Sequence, residues 1–447
     1  MIARLFLLAC LLVIPRWAIA LEIQSVKSDS GIEIWLVENH ANPIVSVAFG
    51  FKGGSAYDPV GKEGIAQLTS GLLDEGAGDV DSQAFQKRMT DRGIELSFSA
   101  GLDDFTGRSR FLRDDRGEAA ALLRLALGAP RFDPEPVERI RNSFLIDIEE
   151  AESDPNKIAG REMEEMMLNG HPYARPADGT KATMTSITAA DLKRFVRQRF
   201  VRARMVVSIV GDVSPAEAKA FVDQAFGGLP EEVPLAEVAP IQPSREGRTR
   251  VVDFDVPQAV VQFAQPGIPR SDPDFFPAYL VNYVLGGGGF SARLMNEVRE
   301  KRGLVYGIGT DLWTFDAGGL IAGQFQTDPG KVAEAIDIVR TEWQRMATEG
   351  PTQQELDDAK TYLLGYYPRN FTNTMETAQL LRGLQTEKLG IDYVTRRQKE
   401  IAAVTLDDAK RAARRLFDAS MLTFIVVGPA DQIQLPGAEV VKAPAQN

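Results

Sequence analysis

The chain has 447 residues, 44% of them hydrophobic and 25% charged, which is the balance of a folded protein too long for one ordinary core. Fifty basic against 62 acidic residues give a formal net charge of −12. No basic face is available for phosphates, so no nucleic-acid partner is expected. The single cysteine excludes a disulfide framework.

Residues 1–20 read as a secretory signal peptide. Arg4 precedes the apolar run Leu5–Ile14, and Ala18-Ile19-Ala20 offers a small-residue cleavage site. That run is too short for the ~20 residues a membrane span needs, so export without a stable membrane span is expected. Leu7-Leu8-Ala9-Cys10 resembles a lipoprotein box, which leaves open whether Cys10 is lipidated or removed. Cleavage after Ala20 leaves no cysteine and 48 basic against 62 acidic residues.

Alternating apolar residues mark strands at Ile32–Val37, Val45–Gly50, Glu95–Ala100 and Gly107–Leu112. Between the second and third lies 64–77, GIAQLTSGLLDEGA, which reads as a helix burying Ile65, Leu68, Leu72 and Leu73. Its other face carries Gln67, Ser70 and Gly71 at i, i+3 and i+4, a spacing that converges side chains on one point and suits a metal site. Here the three positions hold an amide, a hydroxyl and a hydrogen. His40 and His171 are the only histidines and are far apart, and neither His-x-x-x-His nor Cys-x-x-Cys occurs. No metal is expected in this chain. There is no Gly-x-Ser-x-Gly elbow and no phosphate-binding Gly-Lys-Ser/Thr loop.

Residues 188–211 and 405–428 match without a gap at an offset of 217. Thr188/Thr405, Asp191/Asp408, Arg194/Arg411, Phe200/Phe417 and Gly211/Gly428 coincide. Each copy reads as an N-capped amphipathic helix followed by a buried strand. Pro134/Pro351 and Glu138/Glu355 keep the offset where further helices start. The reading is an α+β protein of two similar halves, each a mainly antiparallel sheet with helices packed on one face. The halves run 21–228 and 248–434, joined by an extended linker at 229–247 with four prolines, and 435–447 forms a loose tail.

In the second half, Gly286–Gly289 reads as a turn of close backbone approach. Ser291 is placed to cap a helix in which Leu294, Met295 and Val298 face the core, and Gly303 ends it. Leu304, Tyr306 and Ile308 then alternate as a strand. Arg299, in the last helical turn, and Tyr306 can point into one space, where a guanidinium and a phenol are good donors to a carbonyl or an oxyanion. On position alone, an exposed helical arginine and a half-buried tyrosine remain the alternative.

These residues resemble the pitrilysin/insulinase-type (processing-peptidase-like) zinc metallopeptidases over about 22–430. GGGGFSARLMNEVREKRGLVYGIG is similar to the family's second-half motif, NGHPYARPADGT at 169–180 to its first-half loop, ELSFSAGLDDFTGRSRFL at 95–112 to the strand pair of its cleft, and VGDVSP to the end of its first half. The resemblance implies that Arg299 and Tyr306 bind substrate. It sets Gln67, Ser70 and Gly71 where members carry His, Glu and His of the inverted zinc motif, and places the distal ligand at or near Asp147, with Glu149 and Glu150 close by. It therefore implies a degenerate metal site in the non-metal-binding subunit of a heterodimeric zinc metallopeptidase. Zinc would sit in a homologous partner carrying His-x-x-Glu-His. An enclosed chamber between the halves would take short or unfolded peptides, and the setting would be the periplasm. The alternative is a non-enzymatic structural or peptide-binding protein of the same fold.

Overall fold

A computed structural model describes residues 22–443; the expected signal peptide and Cys10 lie outside the described residues. Strands β1 (Gln24–Lys27), β2 (Glu33–Glu38), β3 (Ile44–Lys52), β4 (Glu95–Ala100), β5 (Asp104–Leu112) and β6 (Met205–Gly211) form one six-stranded sheet, ordered β1-β2-β6-β3-β5-β4. Strands β7 (Thr249–Asp253), β8 (Ala259–Pro266), β9 (Val305–Phe315), β10 (Gly318–Thr327), β11 (Thr423–Gly428) and β12 (Glu439–Lys442) form the other, ordered β12-β7-β11-β8-β10-β9. Five positions correspond one to one. In each sheet a long-range parallel pair, β2–β6 or β7–β11, is followed by an antiparallel neighbour, β3 or β8.

The sixth position differs. The first sheet recruits β1 antiparallel from the start of the chain, whereas the second recruits β12 parallel from its end. Part of the tail expected to be loose is thus a strand. Val440 and Val441 pair with Val251 and Val252, so β12 completes backbone hydrogen bonds that the edge of β7 would leave open.

The repeated helices form for the reason their sequence gives. Thr188 and Asp191 make a reciprocal capping box at Ala189–Arg199, and Thr405 and Asp408 repeat it at Leu406–Leu416. One face of each sheet packs on helices of its own half. In the first half Phe49 lies 5.1 Å from Phe226 and Phe111 stacks 5.3 Å from Phe221. In the second, buried Trp343 lies 5.8 Å from Phe263 and donates to Gln265 Oε1 at 2.6 Å.

The other face of each sheet is covered by a helix from the opposite half. Pro155–Leu168 lays Ile158, Met163, Met166 and Met167 on Val260, Ala264 and Ile425. Reciprocally, Thr374–Thr386 lays Ala378, Leu381 and Leu384 on Trp35, Ala48 and Val210. The first four side chains alone represent on the order of 6 kcal/mol of burial. The halves are therefore clamped together and not hinged around an open space. The chamber expected between them is reduced to a cavity of about 680 Å³, crossed by the pairs Arg382–Asp104 at 2.8 Å and Lys52–Asp316 at 3.4 Å. The 229–247 segment is extended and fixed to both halves, with Ala203 N–H donating to Glu231 O and Ile241 N–H to Ala317 O.

Candidate functional site

The first-half frame begins at Asp58. Its buried carboxylate accepts from Gly64 N–H at 3.0 Å and Ala66 N–H at 3.5 Å, which orients the start of the helix Ile65–Ser70. Burial pushes the Asp58 carboxyl up to about 7. The helix is shorter than the 64–77 pattern suggests: it ends at Ser70 and passes into turns, although Ile65, Leu68, Leu72 and Leu73 are all buried as expected.

Each frame residue is occupied in a way that leaves no ligand set. The Gln67 amide donates to Asp178 Oδ1 at 3.0 Å. The Ser70 hydroxyl donates back to the Gln67 carbonyl at 2.8 Å. At Gly71 a Cβ would lie 2.9 Å from Ile140 Cγ2 and 3.1 Å from Phe144 Cε2, both on the helix Pro134–Ser153 that packs across the frame. Asp147 is exposed on that same helix, as are Glu149 and Glu150. Among the described residues no group of three or more His, Cys, Asp or Glu is placed to hold a metal ion. The zinc that the resemblance brings to mind does not fit these side chains, and apolar packing fills the place of its second imidazole.

Both histidines have structural partners. His40 Nδ1 lies 2.6 Å from Asp212 Oδ1, and that hydrogen bond raises its pKa. His171 Nε2 lies 2.8 Å from the Ala239 carbonyl and so ties its loop to the linker. In the same loop Tyr173 O–H donates to Asp103 at 2.5 Å and receives Ala317 N–H at 3.3 Å, joining the halves.

The second-half site is built differently. Leu294, Met295 and Val298 are buried, and a wide helical turn at Met295–Glu300 carries Arg299. Ser291 does not cap it; its hydroxyl donates to the Gly288 carbonyl at 2.8 Å within the preceding turn. Gly286 is packed so closely on Thr310 that a Cβ would sit 2.4 Å from Oγ1, consistent with a turn of close backbone approach. Gly303, at φ +61°, closes the helical turn, with Gly303 N–H donating to Arg299 O and Leu304 N–H to Val298 O. The chain then enters β9.

Strict alternation would turn Tyr306 to the same side as Ile308. The structure overrides this with a β-bulge: Ile308 pairs with Phe325 and Val305 with Thr327, so Tyr306 and Gly307 together oppose Gln326. Val305 and Ile308 both face the core, and Tyr306 is thrown outward to 92% exposure. The Arg299 guanidinium carbon lies 5.7 Å from the Tyr306 ring centre and 4.9 Å from that of Phe290, which is 73% exposed. Glu300 accepts from Arg299 Nη1 at 2.6 Å and leaves the rest of the fork available. Phe290 was not marked by sequence reasoning, though an apolar residue just after four glycines is a usable signal. The bulge carries no signal that periodicity reads.

Two clamped α+β halves, one with its metal frame filled and the other presenting an outward guanidinium and phenol, define a chain of metallopeptidase architecture with no metal-holding group among the described residues. Residues 33–181 match the insulinase (peptidase family M16) model, and 186–363 match that of the peptidase M16 inactive domain. The chain belongs to the M16 peptidase (insulinase) family. A peptidase M16 inactive domain from Pseudomonas fluorescens superposes with a TM-score of 0.86 at 29% identity, covering 94% of this chain and 99% of that one. A non-peptidase homolog from Helicobacter pylori is 28% identical over 75% of this chain and 78% of its own length. The beta subunit of a mitochondrial-processing peptidase from Dictyostelium discoideum is 21% identical over 91% of this chain and 89% of its own.

Proposed function

We propose that this protein is the non-metal-binding subunit of a two-chain zinc metallopeptidase, exported to the periplasm. In that reading it supplies Arg299 and Tyr306 to hold the peptide while a homologous partner with His-x-x-Glu-His supplies the metal. The observation that carries it is the bulge at Tyr306–Gly307, which spends a regular ladder position to turn a phenol out beside an arginine fork. A scaffold has no use for that geometry. Relatives named as a non-peptidase homolog and as a peptidase subunit are compatible with it.

The chemistry asked of this chain is donation. The guanidinium N–H groups and the tyrosine O–H hold the scissile carbonyl and strengthen as its oxygen becomes an oxyanion. In a peptide-cleavage assay of the complex, Tyr306→Phe or Arg299→Ala should lower kcat by ~10²-fold, the loss expected for one oxyanion donor. An unchanged kcat removes both residues from the mechanism. The second reading, a non-enzymatic structural or peptide-binding protein, is favoured by the filled frame at Gly71, and then neither substitution has a catalytic effect.

A further inference from the structure

Beside Tyr306 lies a groove of about 400 Å³ on the face of the second sheet that the first-half helix Pro155–Leu168 crosses. β9 lines it with Tyr306, Asp311 and Trp313, and β10 and β8 line it with Gln324, Gln326 and Gln262. The bulge brings these together. Asp311 and Trp313 are two residues apart and share a face by ordinary alternation. Tyr306 joins that face only because the bulge shifts the register below Ile308. Gly309, between Tyr306 and Asp311, leaves the floor flat, since nothing lies closer than 3.7 Å to the position of a Cβ there.

The chemistry of the walls selects an occupant. The glutamine amides and Asn156 offer both donors and acceptors, which suits a peptide backbone. Two of those amides touch Asn156 from below, Gln262 Nε2 reaching its carbonyl and Gln326 Nε2 its Oδ1, each at 3.3 Å. The one charged residue in the lining is Asp311. Among the described residues it has no ion-pair partner, and the indole of Trp313, 42% exposed, makes no hydrogen bond. A carboxylate and an unstacked indole side by side form a seat for a cation, by charge pairing and by cation–π contact.

We propose that this groove binds an extended stretch of peptide carrying a lysine or arginine about four residues from the carbonyl held at Arg299 and Tyr306. The spacing is that from Gln326, opposite Tyr306, to Ala322, opposite Asp311, along the regular neighbouring strand β10, roughly 13 Å at ~3.3 Å per residue. The proposal rests on the reading of Arg299 and Tyr306 as the peptide clamp, and deepens it with a side-chain preference.

The test is fluorescence anisotropy with the full chain and labelled 14-residue peptides of Ala, Ser and Gln. One lysine is stepped along the series, and matched peptides carry none or a glutamate. One lysine register should bind roughly tenfold tighter than the uncharged parent, and glutamate in that register should bind weaker than the parent. Asp311→Lys should invert this order, Asp311→Asn and Trp313→Ala should flatten it, and Arg299→Ala should weaken all peptides alike. Thermal melts of the variants separate a binding loss from a folding loss. Equal binding of all peptides, binding of none, or an order unmoved by Asp311→Lys overturns the groove. So does a variant that binds peptides like wild type but no longer associates with a partner chain, since the face is then an interchain contact. The functional reading fails separately: it falls if no metal-bearing partner exists, whatever the peptide series shows.

Discussion

Gly71 and Tyr306 mark what has happened to the two ends of this molecule. At Gly71 a helix of the first half has been kept while its functional face is packed shut by Ile140 and Phe144. At Tyr306 regular strand geometry has been broken to hold an aromatic ring in solvent beside Arg299. The first region is closed by packing, and the second gives up packing to expose a phenol beside a guanidinium. Large apolar and aromatic side chains gain free energy when buried, so the second arrangement has no rationale in stability alone. On the proposed reading, the difference separates a fold that merely lost a site from one that lost half of a site and kept the other half in use.

Rebuilding the lost half should fail in a specific way. Gln67→His with Ser70→Glu and Gly71→His should lower stability by ~1–3 kcal/mol through overpacking against Ile140 and Phe144, and should bind no stoichiometric zinc. Denaturant unfolding and metal analysis check this; a stable, zinc-loaded variant would mean that the frame is still open. Removing a capping box should cost about 1 kcal/mol in either half. Thr188→Ala and Thr405→Ala should therefore shift the denaturation midpoint alike, and a large disparity would break the equivalence of the halves.

The pH response sharpens the comparison further. Hydrogen bonds from Arg293 and Thr352 outweigh the burial of Glu355 and hold its carboxyl down to about 2, and Ser214 does the same for Glu217. Carboxyls lowered by folding stabilise the fold fully above their ordinary value of 4.5, and that contribution is lost as pH falls toward 2. Asp58 has the opposite sign. Raised to about 7, its contribution is present below its ordinary 3.8 and is lost as pH rises through 7. Thermal melts of Asp58→Asn should lose the upper slope and retain the acid limb. The smallest effect is expected at the exposed pair: Arg299→Ala and Tyr306→Ala should change stability by no more than ~0.5 kcal/mol, because they give up exposed contacts. A larger loss in denaturant unfolding would mean that they serve the fold.

Much of the architecture was legible in the chain. The 217-residue offset, the N-capped helices at Thr188 and Thr405, the extended linker and the buried stripe Ile65–Leu68–Leu72–Leu73 all depend on local pattern, and pattern survives in sequence. What was hidden depends on distant partners. Nothing near Gly71 announces Phe144, nothing in 439–442 announces β7, and no period reveals that Pro155–Leu168 and Thr374–Thr386 exchange places across the halves. The bulge is hidden for another reason: it is a departure from periodicity, so an alternation rule puts Tyr306 on the wrong face.

The most direct test of the proposal that this protein keeps only half of a site is to purify it from its native host under mild conditions. Its companions are then identified by mass spectrometry and its metal is measured. The account predicts a stoichiometric second chain carrying His-x-x-Glu-His, with about one zinc per pair and peptidase activity that neither chain shows alone. A protein that purifies by itself, or with unrelated membrane components and no zinc, would contradict it.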